Sequence, residues 1–311
     1  MGKFSTVVLT LLLLLSASSY AQQEPQFSQN MFNILPINPG FAGSNDAICA
    51  NLFYRNQWTG FVGAPKTGLL NVSSPVKLLH GGLGLTVFSD ELGLDNTFGV
   101  KLAYSFIHHI GPGQLGIGVQ AGLLNKSIEG SKFNAFVNDG SDQTIPTNDI
   151  SGSSMTLGFG LFYKTSVYYV GISSTQLTES SVGYEQGADY NLKRHYYVTA
   201  GYTSRISPML ELKPSLLVKM DPPVAPQIDL NVLALYDDQI WGGVSYRLAD
   251  KDAIVPLIGV KWNSFKVGYS YDITVSELRG FSSGTHEIML GYCFKVDEKV
   301  TANKYRNTRF L

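Results

Sequence analysis

The chain has 311 residues, of which only 15% are charged, and 23 Lys and Arg stand against 24 Asp and Glu. A net charge of −1 with both signs scattered along the chain gives no footprint for nucleic acid or for any strongly charged partner. Two cysteines are too few for a disulfide framework, and the length suits one large barrel or sandwich or two soluble domains.

Residues 1–21 read as a signal peptide, with Lys3, a Val-Leu run through Leu15, and Ser19 and Ala21 at the small-residue spacing of a cleavage site. Cleavage is expected after Ala21. The apolar core is too short for an anchor. The only cysteines, Cys49 and Cys293, lie far from the cleavage site, so an acylated amino-terminal Cys is excluded and membrane attachment must come from the fold. No later stretch reaches the ~20 uninterrupted apolar residues of a spanning helix.

Residues 22–46 follow as an N-terminal segment expected in the periplasm, carrying Gln26-Phe27-Ser28-Gln29-Asn30-Met31 and then Pro36-Ile37-Asn38-Pro39-Gly40-Phe41-Ala42-Gly43. It is too polar and too broken by proline to form a strand. One reading makes it a flexible arm, but free linkers lack such a density of aromatic, Asn and Pro anchors. It is therefore expected to be ordered against the periplasmic mouth or inside the lumen.

From residue 47 to 296, apolar residues alternate with small or polar ones in runs of about ten, the pattern of a strand with one lipid face. Phe98, Val100, Leu102, Tyr104 and Phe106 share a face, opposite Gly99, Lys101, Ala103 and Ser105. The same alternation sets Leu115, Ile117, Val119, Ala121 and Leu123 against Gly116, Gly118, Gln120 and Gly122. Strands are expected near 47–55, 67–76, 82–89, 97–108, 113–125, 153–164, 167–176, 193–206, 209–220, 227–236, 239–248, 254–262, 265–274 and 285–296. Lys213, Lys219, Lys266 and Asp272 fall on the inward face, where charge is costly in a sandwich core and solvated in a wet lumen. Short links near 110–113, 165–166, 207–208, 237–238 and 263–264 alternate with long ones at 126–152, 177–192, 221–226, 249–253 and 275–284. Tyr54 with Trp58, Tyr168 with Tyr169, Tyr196 with Tyr197, and Trp241 fall near strand ends, as in aromatic girdles. The fold class is thus an all-β transmembrane antiparallel barrel of about fourteen strands in the outer membrane. The even count places both termini in the periplasm, with 297–311 as a C-terminal tail. Pro214 and Pro256 interrupt two strands, and bulges are expected there.

Gly116, Gly118 and Gly122 lack the spacing and following helix of a dinucleotide fingerprint and are better suited to close backbone packing. His80, His108, His109, His195 and His286 are the only histidines, and neither His286 near Ser282 and Ser283 nor the Asp237-Asp238 pair completes a catalytic constellation. No enzyme activity, cofactor or metal site is expected. The strand assignment puts Cys49 on the first strand and Cys293 on the last, both facing inward by alternation and adjacent where the barrel closes. Register decides between a disulfide and neighbouring reduced thiols. Arg55, Gln57, Trp58 and Asp90 are expected to form one cluster near the outer rim, because a buried Arg needs a carboxylate or carbonyl partner.

Asn38-Pro39 with Ala42-Gly43, then Tyr54-Arg55-Asn56-Gln57-Trp58, Phe61, Pro65-Lys66-Thr67, Ser73 with Pro75, Gly82 with Gly84, Asp90 with Gly93, and the closing Asn307-Thr308-Arg309-Phe310-Leu311 together resemble the PorP/SprF family. That family consists of outer-membrane barrels of the type IX secretion and gliding machinery of Bacteroidetes. Gly40 departs from the pattern, where the family more often has Ala, so a slightly different local turn is expected. The resemblance implies a non-catalytic component that helps a large cell-surface protein, such as an adhesin, to be exported or held on the surface. Its implied partners are outer-membrane lipid, components of the type IX machinery, the exported surface protein and peptidoglycan-linked periplasmic proteins. The alternative is a diffusion porin or small-molecule transport barrel, with Lys101, Lys213, Lys219, Lys261 and Lys266 lining the lumen.

Overall fold

The computed structural model describes residues 24–132, 148–184, 189–222, 225–248, 253–275 and 282–295. The expected signal peptide and C-terminal tail lie outside these residues. The first strands are β1 (Ile48–Asn56), β2 (Lys66–Val76), β3 (Gly81–Leu92), β4 (Asp95–Ile110), β5 (Gly113–Ile128), β6 (Ile150–Lys164) and β7 (Tyr168–Thr175). A small hairpin, β8 (Ser181–Gly183) and β9 (Asp189–Asn191), precedes β10 (His195–Tyr202), β11 (Ser204–Ser207), β12 (Leu210–Met220) and β13 (Gln227–Tyr236). The last four are β14 (Ile240–Arg247), β15 (Ala253–Trp262), β16 (Phe265–Thr274) and β17 (Thr285–Phe294).

Every neighbouring pair is antiparallel, β10 pairs with both β7 and β12, and β1 pairs with β17, so the sheet closes on itself. Because β10 and β11 both run along β12 and are separated only by Thr203, they form one interrupted strand, and the barrel has fourteen. The hairpin β8–β9 is a separate two-stranded sheet. Closure leaves no strand at a free edge, as a spanning β structure in lipid requires.

The side-chain pattern is inverted relative to a soluble protein. Leu102, Leu123, Met155 and Ile258 on the outer face are each at least 60% exposed, whereas Asn71, Thr86, Lys101, Gln120 and Glu287 are buried. Alternation produces both faces at once: apolar side chains meet lipid and polar ones meet whatever fills the lumen.

Proline acts differently from expectation. Neither Pro214 nor Pro256 sits at a register shift; each pairs normally on one side, with Val232 and Val244 respectively. On the other side the ladder is interrupted, between Ser204↔Leu212 and Gly201↔Ser215, and between Ile254↔Ile273 and Leu257↔Ser270. A missing N–H costs one bond on one side, so a local gap suffices and no extra residue is inserted. The recorded shift lies instead between Arg205 and Ser207.

Both Ile48 and Phe294, the outer ends of the closing strands, lie at the end of the barrel that carries the tight turns. The opposite end carries the long connections, with one exception: β3 and β4 join there through Gly93 and Leu94 alone. Gly93 donates its N–H to Gly63 O at 2.9 Å, so the 57–65 connection rests on this tight turn.

Candidate functional site

Residues 24–47 lie inside the lumen. Pro25, Pro36 and Pro39 prevent a regular ladder, and the segment forms two short 3-10 turns, Asn30–Phe32 and Pro39–Phe41. Its backbone polar groups are then partly satisfied by the barrel wall. Asn38 shows how: its side-chain oxygen caps the second turn by accepting from Gly40 N–H at 2.9 Å, while Nδ2 donates to the carbonyls of Leu161 (3.0 Å) and Ile172 (3.4 Å). Pro39 at the first position of that turn fixes its entry angle.

Around this turn the chain passes within backbone contact of the wall. A Cβ added to Gly118 would sit 2.3 Å from Gly40 N, and one at Gly40 would sit 2.8 Å from Gly116 O. Gly43 has φ +75°, and a Cβ there would approach Gly82 Cα to 2.5 Å. The glycines of β5 and β3 are thus the floor on which the segment lies. Ser73 Oγ accepts from Gly43 N–H at 2.8 Å, and Ser105 donates to Gly40 O.

Further up the lumen the segment rests on a buried ionic network. Arg55, 2% exposed, donates to Glu287 at 3.0 Å, to Asp272 at 2.8 Å and to Ser28 Oγ at 2.7 Å. Glu287 also accepts the backbone N–H groups of Ser28 (2.7 Å) and Gln29 (2.9 Å), and Ser28 Oγ donates to Asp272 at 2.6 Å. Asp272 lies 3.7 Å from Arg247, whose Nε donates to Asp229 at 3.1 Å. Asn30 completes the row by donating to Asp229 and accepting from Asn231. Each carboxylate therefore faces a guanidinium and also holds a polar group of the segment, which is what allows charge to persist out of water.

Toward the long-connection end, Glu24 accepts from Lys101 Nζ (3.1 Å), Gln176 Nε2 (3.1 Å) and the Tyr197 hydroxyl (3.3 Å). Phe27 packs edge-on against Phe53, with ring centroids 5.6 Å apart. The hairpin β8–β9 adds Val182 and Tyr184 to the same apolar cluster, with Leu124, Ile150 and Leu192. Lys126 Nζ stands 4.6 Å from the Tyr190 ring centroid. The lumen is occupied over part of its length by one segment and covered from the long-connection side by another.

The family model described as type IX secretion system membrane protein PorP/SprF matches residues 19–292. The chain belongs to this family. It is an outer-membrane β-barrel of the type IX secretion class. No curated protein matches the chain. Among solved structures it is similar to a Pseudomonas aeruginosa FadL homologue, at 13% identity and TM-score 0.44, covering 80% of this chain and 89% of that one. It is also similar to the Acinetobacter baumannii outer membrane protein Omp33, at 8% identity and TM-score 0.43 over 80% and 97% of the two chains. The CymD monoaromatic hydrocarbon channel is 10% identical with TM-score 0.44 over 84% and 91%.

In this PorP/SprF barrel the residues singled out by sequence divide into three groups. Asn38, Pro39 and Gly43 form the turn that seats the segment on the wall. Tyr54 points outward and is half exposed, while Arg55, Gln57 and Trp58 surround one small cavity with Gln26, Asp272 and Thr285. Asp90 does not join them, contrary to expectation. It accepts from Thr67 Oγ1, and Gly93 lies in the β3–β4 turn. Arg55 turns the other way, to carboxylates of β16 and β17 that barrel closure brings beside β1. Sequence proximity suggested Asp90; the inward alternation along the last strands, which places Glu287 two steps from Met289, was the signal for the actual partner. Cys49 and Cys293 are directly opposed across the β1–β17 seam, Cα atoms 4.1 Å apart, and are joined by a disulfide. His286 hydrogen-bonds Tyr269 on the outer face, at 2.7 Å. No group of three or more His, Cys, Asp or Glu among the described residues could hold a metal ion.

Proposed function

We propose that this barrel is a non-catalytic platform of the type IX secretion and gliding machinery, serving the export or surface anchoring of a large cell-surface protein such as an adhesin. The observation that carries this reading is the occupied lumen. A barrel whose interior is taken by its own chain, tied down by Arg55, Glu287 and Asp272, is suited to holding a fixed shape in the membrane and poorly suited to passing solutes. The chain would be exported by residues 1–21, with the tight turns in the periplasm, facing machinery components and peptidoglycan-linked proteins, and the long connections outside, facing the client.

The porin alternative needs an open constriction lined by charge. Four of its five candidate lysines are paired or buried, and Lys266 alone lines an open space without an ion pair among the described residues. Lys101 pairs with Glu24, Lys213 with Glu211 and Lys261 with Asp238, and Lys219 is buried. The lining of the lumen thus favours the platform.

Deleting the gene is expected to remove one surface protein while leaving other type IX cargo in place, read by surface proteomics of the mutant and its complemented strain. Broad loss of all cargo would reject client specificity. Steady conductance by the intact protein in planar bilayers would instead favour the porin.

A further inference from the structure

At the tight-turn end the lumen is not filled. Beneath the N-terminal segment a cavity of about 220 Å³ remains, walled by Phe32, Phe41, Phe162 and Tyr169 and by the Cys49–Cys293 bridge. The wall is built of packed rings: Phe41 meets Phe162 edge-on at 5.2 Å, and Phe162 stacks on Tyr169 at 5.5 Å. A second cavity of about 120 Å³ adjoins it, sharing Phe32 and Lys266. Since an apolar cavity of about 150 Å³ takes up benzene, the larger space holds a phenyl ring with a short polar appendage.

The charge lining this space is of one sign. Lys164 and Lys266 are its only ionisable wall residues apart from the Tyr169 phenol, and their nearest acting carboxylates, Asp46 and Asp238, lie outside the wall and form no ion pair with them. Lys164 donates to two uncharged acceptors, Ser44 O at 3.2 Å and Asn45 Oδ1 at 3.0 Å, and Lys266 has no hydrogen bond or ion pair among the described residues. Their neighbours differ: Lys213 and Lys261 each have an acidic partner. An ammonium carries three donors, so up to four N–H groups remain available beside an aromatic wall. Two cations that form no direct ion pair, with Asp46 and Asp238 acting on them only from outside the recess wall, complement an anion that carries an apolar group.

We propose that this recess binds a carboxylate attached to an aromatic or aliphatic group, with Lys164 and Lys266 holding the carboxylate and Phe32, Phe41, Phe162 and Tyr169 packing the apolar part. The chemistry is shared by the C-terminal residue of a peptide chain and by a small amphipathic acid. The inference stands independently of any secretion role, because it rests on the recess alone.

The test uses the full-length protein in a nonionic detergent, titrated calorimetrically with acetyl-glycyl-phenylalanine, with the C-terminal amide of the same peptide, and with 3-phenylpropionate. Micelles favour the amide over the acid, so a preference for acid reports the lysines. We expect saturable binding of at least one acid, about tenfold tighter than the amide, as the loss of one charge-assisted contact implies. Binding of the peptide acid with little for phenylpropionate identifies a chain end, and equal or better binding of phenylpropionate identifies a small acid. The Lys164→Met and Lys266→Met variants should each weaken the acid by about tenfold while leaving the amide unchanged. Equal affinity for acid and amide in the unaltered protein, or no saturable binding of either acid up to about 10 mM, overturns the proposal.

Discussion

Arg55 illustrates how a single residue in this barrel carries both architecture and the site. Its guanidinium is planar and offers donors in a fixed fork, so it can serve Asp272, Glu287 and Ser28 together. Arg55→Met would leave Glu287 buried without a counter-charge and Asp272 with only the more distant Arg247 at 3.7 Å, and a destabilisation of about 3–5 kcal/mol is expected from the guanidinium unfolding midpoint in micelles. Ser28→Ala should cost about 1–3 kcal/mol, because Asp272 loses a donor and Arg55 an acceptor. Gly82→Ala acts sterically: its Cβ would fall 2.3 Å from Gly43 Cα and 2.4 Å from Ala42 O, both backbone atoms with nowhere to move. The barrel should still form in that variant, but residues 24–47 should become sensitive to limited proteolysis. Unchanged protection would mean that the contact is looser than its geometry implies.

The strands were legible in the sequence because a two-residue period with a lipid face on one side is a redundant signal: each strand repeats it four or five times. Phe98 through Phe106 and Met155 through Tyr163 needed no tertiary information. The path of residues 24–47 was not legible. Its Asn, Pro and aromatic residues indicated docking, but the partners of Asn38 and Ser28 lie on strands more than a hundred residues away, at Leu161, Ile172, Asp272 and Glu287. The hairpin β8–β9 was missed for a different reason. Each arm is three residues long, too short for alternation to register, and only its contact with Leu124 and Ile150 reveals why Val182 and Tyr184 are apolar. Conversely, the cysteine pair was placed from alternation on the first and last strands, with register left open; the structure sets Cys49 opposite Cys293. As an element, the segment is expected to close the lumen. Removing residues 24–44 while keeping the leader and β1 should convert a non-conducting barrel into one with measurable conductance in planar bilayers. No change in conductance would assign the seal to the hairpin instead.

At the scale of the whole molecule, the disulfide joins the first strand to the last. Mass spectrometry of the non-reduced digest should recover the Cys49 and Cys293 peptides as one species, and reduction should lower stability by about 2–4 kcal/mol. Closing that bond also changes the topology of the chain. Residues 49–293 become a covalent ring, and the stretch that leads into it, residues 24–47, turns back and runs inside it. The molecule is then a lasso rather than a stoppered tube. A stopper can be expelled by parting two strands at the seam, since nine opposed residue pairs can separate and re-form. A threaded tail cannot leave sideways. It can only be drawn out end-first through the long-connection side's own contacts or back through the mouth it entered, and anything bulky fixed to its leading end would lock it in place until the bridge was reduced.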